Sequence, residues 1–276
     1  MTLLNATRSE LAKQLSTSTW WILALVLLVY VGATAGGLAV LFGATATGSL
    51  PGGDAAPPVD GSGLPPLIYS LATAIGYVFP LLIGVLMVTG EFRHQTLTPT
   101  FLATPRRGIA LGGKLVAGAV VGIGYGLIAL LSTMAPGAGI LALTGVDPAL
   151  TDTATWAMAG RIVLAFVLWV LIGIGVGVLV RNQIVAIVLV LAFTQFVEPI
   201  VRTVGAFVDG ISDISPFLPG GASDGLVGAS LYSSMTLTGA TDGFIPEWWL
   251  SGLVLLGYAL VLLIAGYATS WRRDVA

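Results

Sequence analysis

Few side chains in this sequence can do chemistry, and they crowd into one stretch. GEFRHQTLTPTFLATPRRG, Gly90 to Gly108, holds the only histidine, His94, together with Glu91, Arg93, Arg106 and Arg107, in a chain of which only 9% is charged. Their spacing matches no catalytic set. A zinc peptidase needs H-E-x-x-H or an equivalent, and a lone histidine has no such partner. A serine hydrolase needs a base beside its nucleophile, and no G-x-S-x-G exists anywhere in the sequence. Gly112-Gly113-Lys114-Leu115 superficially resembles a phosphate loop, but leucine stands where a magnesium-binding Ser or Thr is required and the upstream glycine spacing is wrong. With no cysteine, disulfides, thiolate metal sites and a cysteine nucleophile are excluded. The expectation is a chain that is not an enzyme and has no cofactor of its own. Any active transport would draw on an ion gradient or on a partner.

The elements around this stretch are oily. The 276 residues are 56% hydrophobic with a mean hydropathy of +0.98, against a charged share of about 25% in ordinary soluble domains. The predicted fold is an all-α polytopic membrane protein, a single transmembrane domain over residues 1–276. Its net charge of -2 averages two differently charged sides and points to no nucleic acid. Residues 2–16 place Leu4, Leu11 and Leu15 on one helical face and Ser9, Glu10, Lys13 and Gln14 on the other, the pattern of an amphipathic helix lying in the membrane interface. Six apolar runs follow, at about 20–42, 67–89, 109–134, 162–180, 184–204 and 248–271. Each approaches the roughly 20 residues needed to cross the hydrocarbon. Each must be helical, because lipid leaves no partner for an open backbone amide.

Lysine and arginine orient the spans. Arg8 and Lys13 precede the first run; Arg93, Arg106, Arg107 and Lys114 surround the second connection; Arg181 marks the fourth-to-fifth turn; Arg272 and Arg273 end the chain. The other connections carry mostly Asp and Glu. The positive-inside rule therefore puts both termini and the 90–108 loop in the cytoplasm of a cell whose plasma membrane the chain spans. Trp20, Trp21 and Trp271 fall at the inner boundaries, and Trp156, Trp248 and Trp249 at the outer ones. Ala33-Thr34-Ala35 resembles a signal-peptidase site, but the apolar run continues to Phe42 at spanning length, so an uncleaved span is expected.

Within the spans, Gly32 and Gly36, then Gly118, Gly122 and Gly126, then Gly173, Gly175 and Gly177 form small-residue ridges suited to close helix packing. Gln195, Glu198 and Arg202 lie at i, i+3 and i+7. They fit either a polar exit in a substrate pathway near the outer leaflet or a snorkelling pair at the interface. Tyr69, Tyr77, Phe79, Tyr125 and Phe193 are candidates to line an apolar path or simply to pack. Residues 44–66 read as a flexible loop. The longer outer segment, 205–246, contains pieces such as Gly225 to Tyr232 that suit short helices dipping toward the membrane.

In the charged loop, Thr98 followed by Pro99 predicts a helix start, a capping hydroxyl before a ring already at helical φ. Thr100 to Ala103 would make about one turn, stopping near Pro105, with Phe101 and Leu102 projecting. An arginine-rich tether that only sets topology would explain the charges, but not a capped turn with apolar residues.

GEFRHQTLTPTFLATPRRGIALGGKL resembles the cytoplasmic segment of ABC-2 type exporter permeases, with a pattern of approximately E-x-R-x-G-T-L, a short turn, T-P-x-R and G-K-L. Glu91, Arg93, Thr96, Leu97, Thr104, Pro105, Arg107, Gly113 and Lys114 take those positions, and Gln95 stands where the pattern has glycine. The six spans, the N-terminal helix and a S-P-F-L-P piece at Ser215 to Pro219 extend the likeness. The resemblance implies a coupling helix seated in a separate ABC ATPase subunit. It also implies a second permease subunit, identical or different, and ATP and magnesium used by that partner rather than by this chain. Leu97, Phe101 and Leu102 would dock; Glu91 and Arg93 would lock the loop to the first helix or the partner; Arg106 and Arg107 would fix it at lipid headgroups. An ion-coupled transporter is disfavoured by the absence of inverted repeats and midplane ion sites. A non-transporting membrane scaffold is the other alternative. Substrate identity is not written in these residues beyond a mild leaning toward hydrophobic or amphipathic molecules.

Overall fold

The computed structural model describes residues 2–48, 61–103, 106–205, 213–229 and 246–271. Among these there is no strand. Eleven α-helices are present: α1 (Leu3–Ser16), α2 (Thr19–Ala46), α3 (Leu64–Ala74), α4 (Val78–Arg93), α5 (Leu97–Ala103), α6 (Arg107–Leu143), α7 (Thr153–Leu179), α8 (Gln183–Ala192), α9 (Glu198–Gly205), α10 (Pro219–Val227) and α11 (Trp248–Gly266). Six helical stretches are long and apolar enough to cross a membrane: Thr19–Ala46, Gly61–Arg93, Arg107–Leu143, Thr153–Leu179, Gln183–Gly205 and Trp248–Thr269. The chain is a multi-pass membrane protein. Arg272 and Arg273, the centre of the 44–66 loop and most of the outer segment lie outside the described residues.

The fourth span is the pillar. In its most apolar stretch 72% is buried inside the molecule, against 22% in the fifth and sixth spans. Helix α7 packs against α4, α6 and α11; α2 and α3 lie on α6, and α10 lies on α11. The glycine ridges are what allow this. A Cβ on Gly122 would stand 2.7 Å from the Val167 Cα, and one on Gly126 2.9 Å from the Val163 Cα. On Gly173 it would overlap the Leu81 carbonyl, and on Gly84 the Val170 carbonyl. Gly175 faces Leu262 of α11. These ridges therefore serve packing within the chain.

Three spans depart from the expected boundaries. The third runs through Pro136 to Leu143 rather than stopping at Met134. Proline removes the N–H that would bond the Ser132 carbonyl. Helix α2 closes on that oxygen at Gly32, where a Cβ would lie 3.1 Å from it. The fourth begins at Thr153 and so takes in Arg161. The second is two helices, broken at Ile75 to Tyr77. Pro80 cannot donate to the Gly76 carbonyl, and the Phe79 N–H takes it instead at 3.2 Å. Hydropathy does not see the break in the second span or the continuation of the third, because the prolines there lie within apolar surroundings.

The fifth span carries a π turn, Phe193–Val197, immediately before α9. Pro199 lies inside the continuing helix, and the turn before it is the widened one. Short helices in the outer segment were expected, and among the described residues one α-helix is found, after a 3-10 turn at Ser215–Phe217. It is α10, at Pro219–Val227, with Pro219 to Asp224, Leu226 and Val227 buried.

Tryptophans are exposed at helix ends: Trp21 at the start of α2, and Trp156, Trp248 and Trp249 at the opposite end of the bundle. Tyr69, Tyr77 and Tyr125 are all buried. Their hydroxyls donate to the main-chain carbonyls of Pro148 (2.8 Å), Thr194 (2.9 Å) and Trp20 (2.6 Å). These three rings are packed inside the molecule.

Candidate functional site

At the end of the bundle where α1 lies, four charges from three helices meet, three of them buried. Helix α1 starts at Thr2, whose hydroxyl accepts from the Asn5 N–H at 3.4 Å, and it packs on α6. Its inward face is Ala6, Thr7 and Glu10, while Leu3, Leu4 and Leu15 are exposed. The contact needs Gly113, where a Cβ would sit 2.8 Å from the Ala6 Cβ. The Gly112-Gly113-Lys114 sequence thus has a structural use. The glycine lets α1 approach, and the lysine beside it meets Glu10.

Lys114 has no solvent exposure at its side chain and pairs with Glu10 Oε2 at 2.5 Å and Glu91 Oε1 at 2.9 Å. Lys13, with 41% of its side chain exposed, pairs with Glu10 Oε1 at 2.7 Å and Glu91 Oε1 at 2.8 Å. Two ammonium groups and two carboxylates form a closed, neutral set, which is the condition under which buried charges are tolerated. Lys13 Nζ also donates to Thr100 Oγ1 at 3.3 Å, reaching α5. One network therefore joins α1, the end of α4, the start of α6 and the short helix between them.

Burial pulls the Lys13 ammonium down, but hydrogen bonds and charge from Glu10 and Glu91 outweigh it and hold it above its ordinary 10.5. A raised value means that its stabilising contribution is complete below 10.5 and is lost only as pH rises through the still higher folded value. Lys13 therefore carries its charge at neutral pH.

Helix α4 ends in a Schellman motif. The Thr96 N–H donates to the Glu91 carbonyl at 3.0 Å and the Gln95 N–H to the Phe92 carbonyl at 3.4 Å, with Gln95 at φ 55. The left-handed position is the one where the exporter pattern has glycine. The same motif at the end of α6 uses Gly145, at φ 80. Because a non-glycine residue pays about 1 kcal/mol or more for this conformation, Gln95→Gly should stabilise the protein by roughly 1 kcal/mol, less glycine's own entropic cost. Thermal unfolding of the two purified proteins measures it, and a clear loss of stability would show the turn to be held otherwise.

Helix α5 begins at Leu97, ahead of the expected Thr98-Pro99 start, with the Thr96 carbonyl accepting from the Thr100 N–H at 3.3 Å. Pro99 falls later in the first turn, where no intrahelical donor is needed either. Leu97 corrects the docking expectation: it is only 2% exposed and belongs to the main core, so it anchors α5 to the bundle. Leu102 is 78% exposed. Glu91 is buried in the ionic network. Arg93 is exposed and donates to Gln183 Oε1 of α8 at 3.4 Å. Thr96 and Arg106 are exposed and Arg107 is half-buried. The side chains of Thr98 and Phe101, and all of Thr104 and Pro105, lie outside the described residues.

At the opposite end the other predicted group comes apart. Gln195 is exposed inside the π turn, whose extra width rotates it away from Glu198. Glu198 is only 2% exposed. Its Oε1 accepts from the amides of Gly220 and, at 3.1 Å, Gly221, at the start of α10, where free N–H groups and the helix dipole favour an anion. Arg202 donates to Asp224 of α10 at 2.5 Å. Glu198 is therefore an internal helix cap rather than a group snorkelling to the interface.

The sequence placed Glu10 and Lys13 on the polar face of the first helix, Thr100 in the short turn and Lys114 among the orienting cations and motif positions, but did not bring them together as a site. A usable signal was present: Lys114 is a cation inside an apolar run, which needs a carboxylate partner wherever it lies. Comparison with protein-family models and with curated proteins gave no match.

Proposed function

We propose that this chain is the permease subunit of an ATP-driven exporter of the ABC-2 type. It would form the translocation pathway in the plasma membrane with a second permease subunit, and would be driven through α5 by a separate ABC ATPase. The observation that carries the reading is α5 itself. A seven-residue helix between two spans is tied by Leu97 to the core and by Thr100 to a buried ionic network, while Leu102 projects freely. Such a helix transmits displacement: force applied at Leu102 reaches α1, α4 and α6 through contacts that do not yield locally. On this reading the α1 end is cytoplasmic, as the lysines and arginines imply, and the outward leucines of α1 rest in the inner leaflet.

The test is co-expression with a candidate ATPase that lacks spans of its own. Leu102→Asp puts a charge where an apolar pocket would receive a leucine. It should weaken co-purification of the ATPase roughly 100-fold, equivalent to about 2.7 kcal/mol, and abolish ATP-dependent flux in vesicles. The melting temperature of the permease alone should not change, because the side chain touches little of its own chain. An ATPase that binds and is stimulated normally by this variant would remove the coupling role.

A further inference from the structure

We propose that the fifth span is jointed at its π turn and that the Tyr77 hydroxyl is the pin of that joint. The reasoning begins with a single carbonyl. In an α-helix the Thr194 oxygen would accept from the Glu198 N–H; in the π turn that N–H goes to the Phe193 oxygen instead. The next donor in the π register would be residue 199, which is proline and has none. The Thr194 carbonyl is thus deprived of both helical donors, and a buried orphan of this kind costs about 1 to 3 kcal/mol. Tyr77 supplies the missing bond at 2.9 Å, from a buried position. Tyr77 is itself the last residue of the break between α3 and α4, so the interruptions of the second and fifth spans are fastened to each other.

The pin is held in turn. The Tyr77 ring stacks on Trp169 with centroids 4.6 Å apart, and the Trp169 Nε1–H donates to Ser223 of α10 at 3.1 Å. Beyond the joint, α9 is locked to α10 by Glu198 and Arg202. Before it, α8 buries only Ala186 and Val190. The two sides of the π turn are therefore held by different partners: α8 packs along α4 and takes the Arg93 bond at Gln183, while α9 is tied to α10 by ionic and amide contacts. A bend there breaks no α-helical bond at Thr194, because none exists. At the turn itself, opening the joint requires that the tyrosine hydroxyl let go, after which α8 can shift along α4 against an α9–α10 cap that stays in place. This inference does not depend on what the protein transports.

Hydrogen exchange on the full chain in nanodiscs tests it. Tyr77→Phe keeps the ring and removes the pin, so exchange across residues 193–198 should accelerate about tenfold or more, while α10, residues 219–227, stays at the parent rate. Pro199→Ala restores a backbone donor, either to Thr194 in the π register or by allowing an ordinary α turn. In that background Tyr77→Phe should change exchange less than about twofold. Unchanged exchange in Tyr77→Phe overturns the proposal. So does acceleration that spreads equally into α10, or acceleration that Pro199→Ala fails to cancel. If Tyr77→Phe alone does not fold, the double variant is expected to, and its failure would also count against the joint.

Discussion

Lys114→Met is expected to lower stability by about 3 to 5 kcal/mol, the usual consequence of removing one member of a buried ion pair and leaving its partner charged. The side chain has no exposure, and its loss would leave Glu10 and Glu91 sharing the half-exposed Lys13. The penalty comes less from the attraction lost than from a carboxylate left without compensation. A second change tells the two apart. Adding Glu91→Gln to Lys114→Met returns the cluster to neutrality, with Glu10 facing Lys13, and should recover a large part of the loss. Lys13→Met should cost less than Lys114→Met, since water reaches that side of the cluster and screens it. Thermal unfolding and the yield of monodisperse protein in detergent measure all three. A Lys114→Met protein within 1 kcal/mol of the parent, by the same principle of buried pairs, would mean that the network is dispensable. Because the network also reaches Thr100, the variants that survive purification should position α5 loosely and, if the proposed coupling holds, stimulate the ATPase of that proposal poorly.

Gly173→Ala should be nearly as damaging, at about 3 kcal/mol, the upper part of the usual overpacking range. A Cβ there would overlap the Leu81 carbonyl and lie 3.0 Å from the Val85 nitrogen and 3.1 Å from the Gly84 Cα. All three obstacles are backbone, so no rotamer change relieves them; α4 and α7 must separate along their contact. Gly84→Ala attacks the same crossing from the other side and should behave alike. Gly124→Ala is the control, since a Cβ there meets nothing within 4 Å, and it should be neutral or mildly stabilising through helix propensity. Equal stability of Gly173→Ala and Gly124→Ala would contradict the close crossing of α4 and α7.

Which of these effects is visible before folding depends on the range of the interaction behind it. The six spans were legible because the requirement is local: a run of apolar residues long enough for the hydrocarbon has to be helical to satisfy its own backbone. Their breaks were not. Pro80 and Pro199 could be seen, yet whether a proline ends a span, splits it or widens one turn depends on what satisfies the freed carbonyl. For Gly76 that is Phe79, one turn away, and for Thr194 it is Tyr77, more than a hundred residues earlier. Leu97 and Leu102 looked alike as apolar residues beside arginines. Only the packing separates the one that anchors α5 from the one that projects.

The charged loop shows the same division. From composition and order alone it was already the stretch between spans that gathers the histidine and several arginines, with a short helix expected at Thr98 and Pro99; the left-handed turn at Gln95 came from the structure. The types and spacings that set those features lie within a few residues of one another. What the tertiary structure decided is which charges meet there. Glu10 and Lys114 are 104 residues apart and paired, and Glu91 accepts from Lys13 across 78. A lysine in an apolar run announces that it needs a carboxylate, because an isolated charge is too costly away from water. Which of the available carboxylates answers depends on how closely the helices approach, and here that depends on a glycine at position 113 that admits α1.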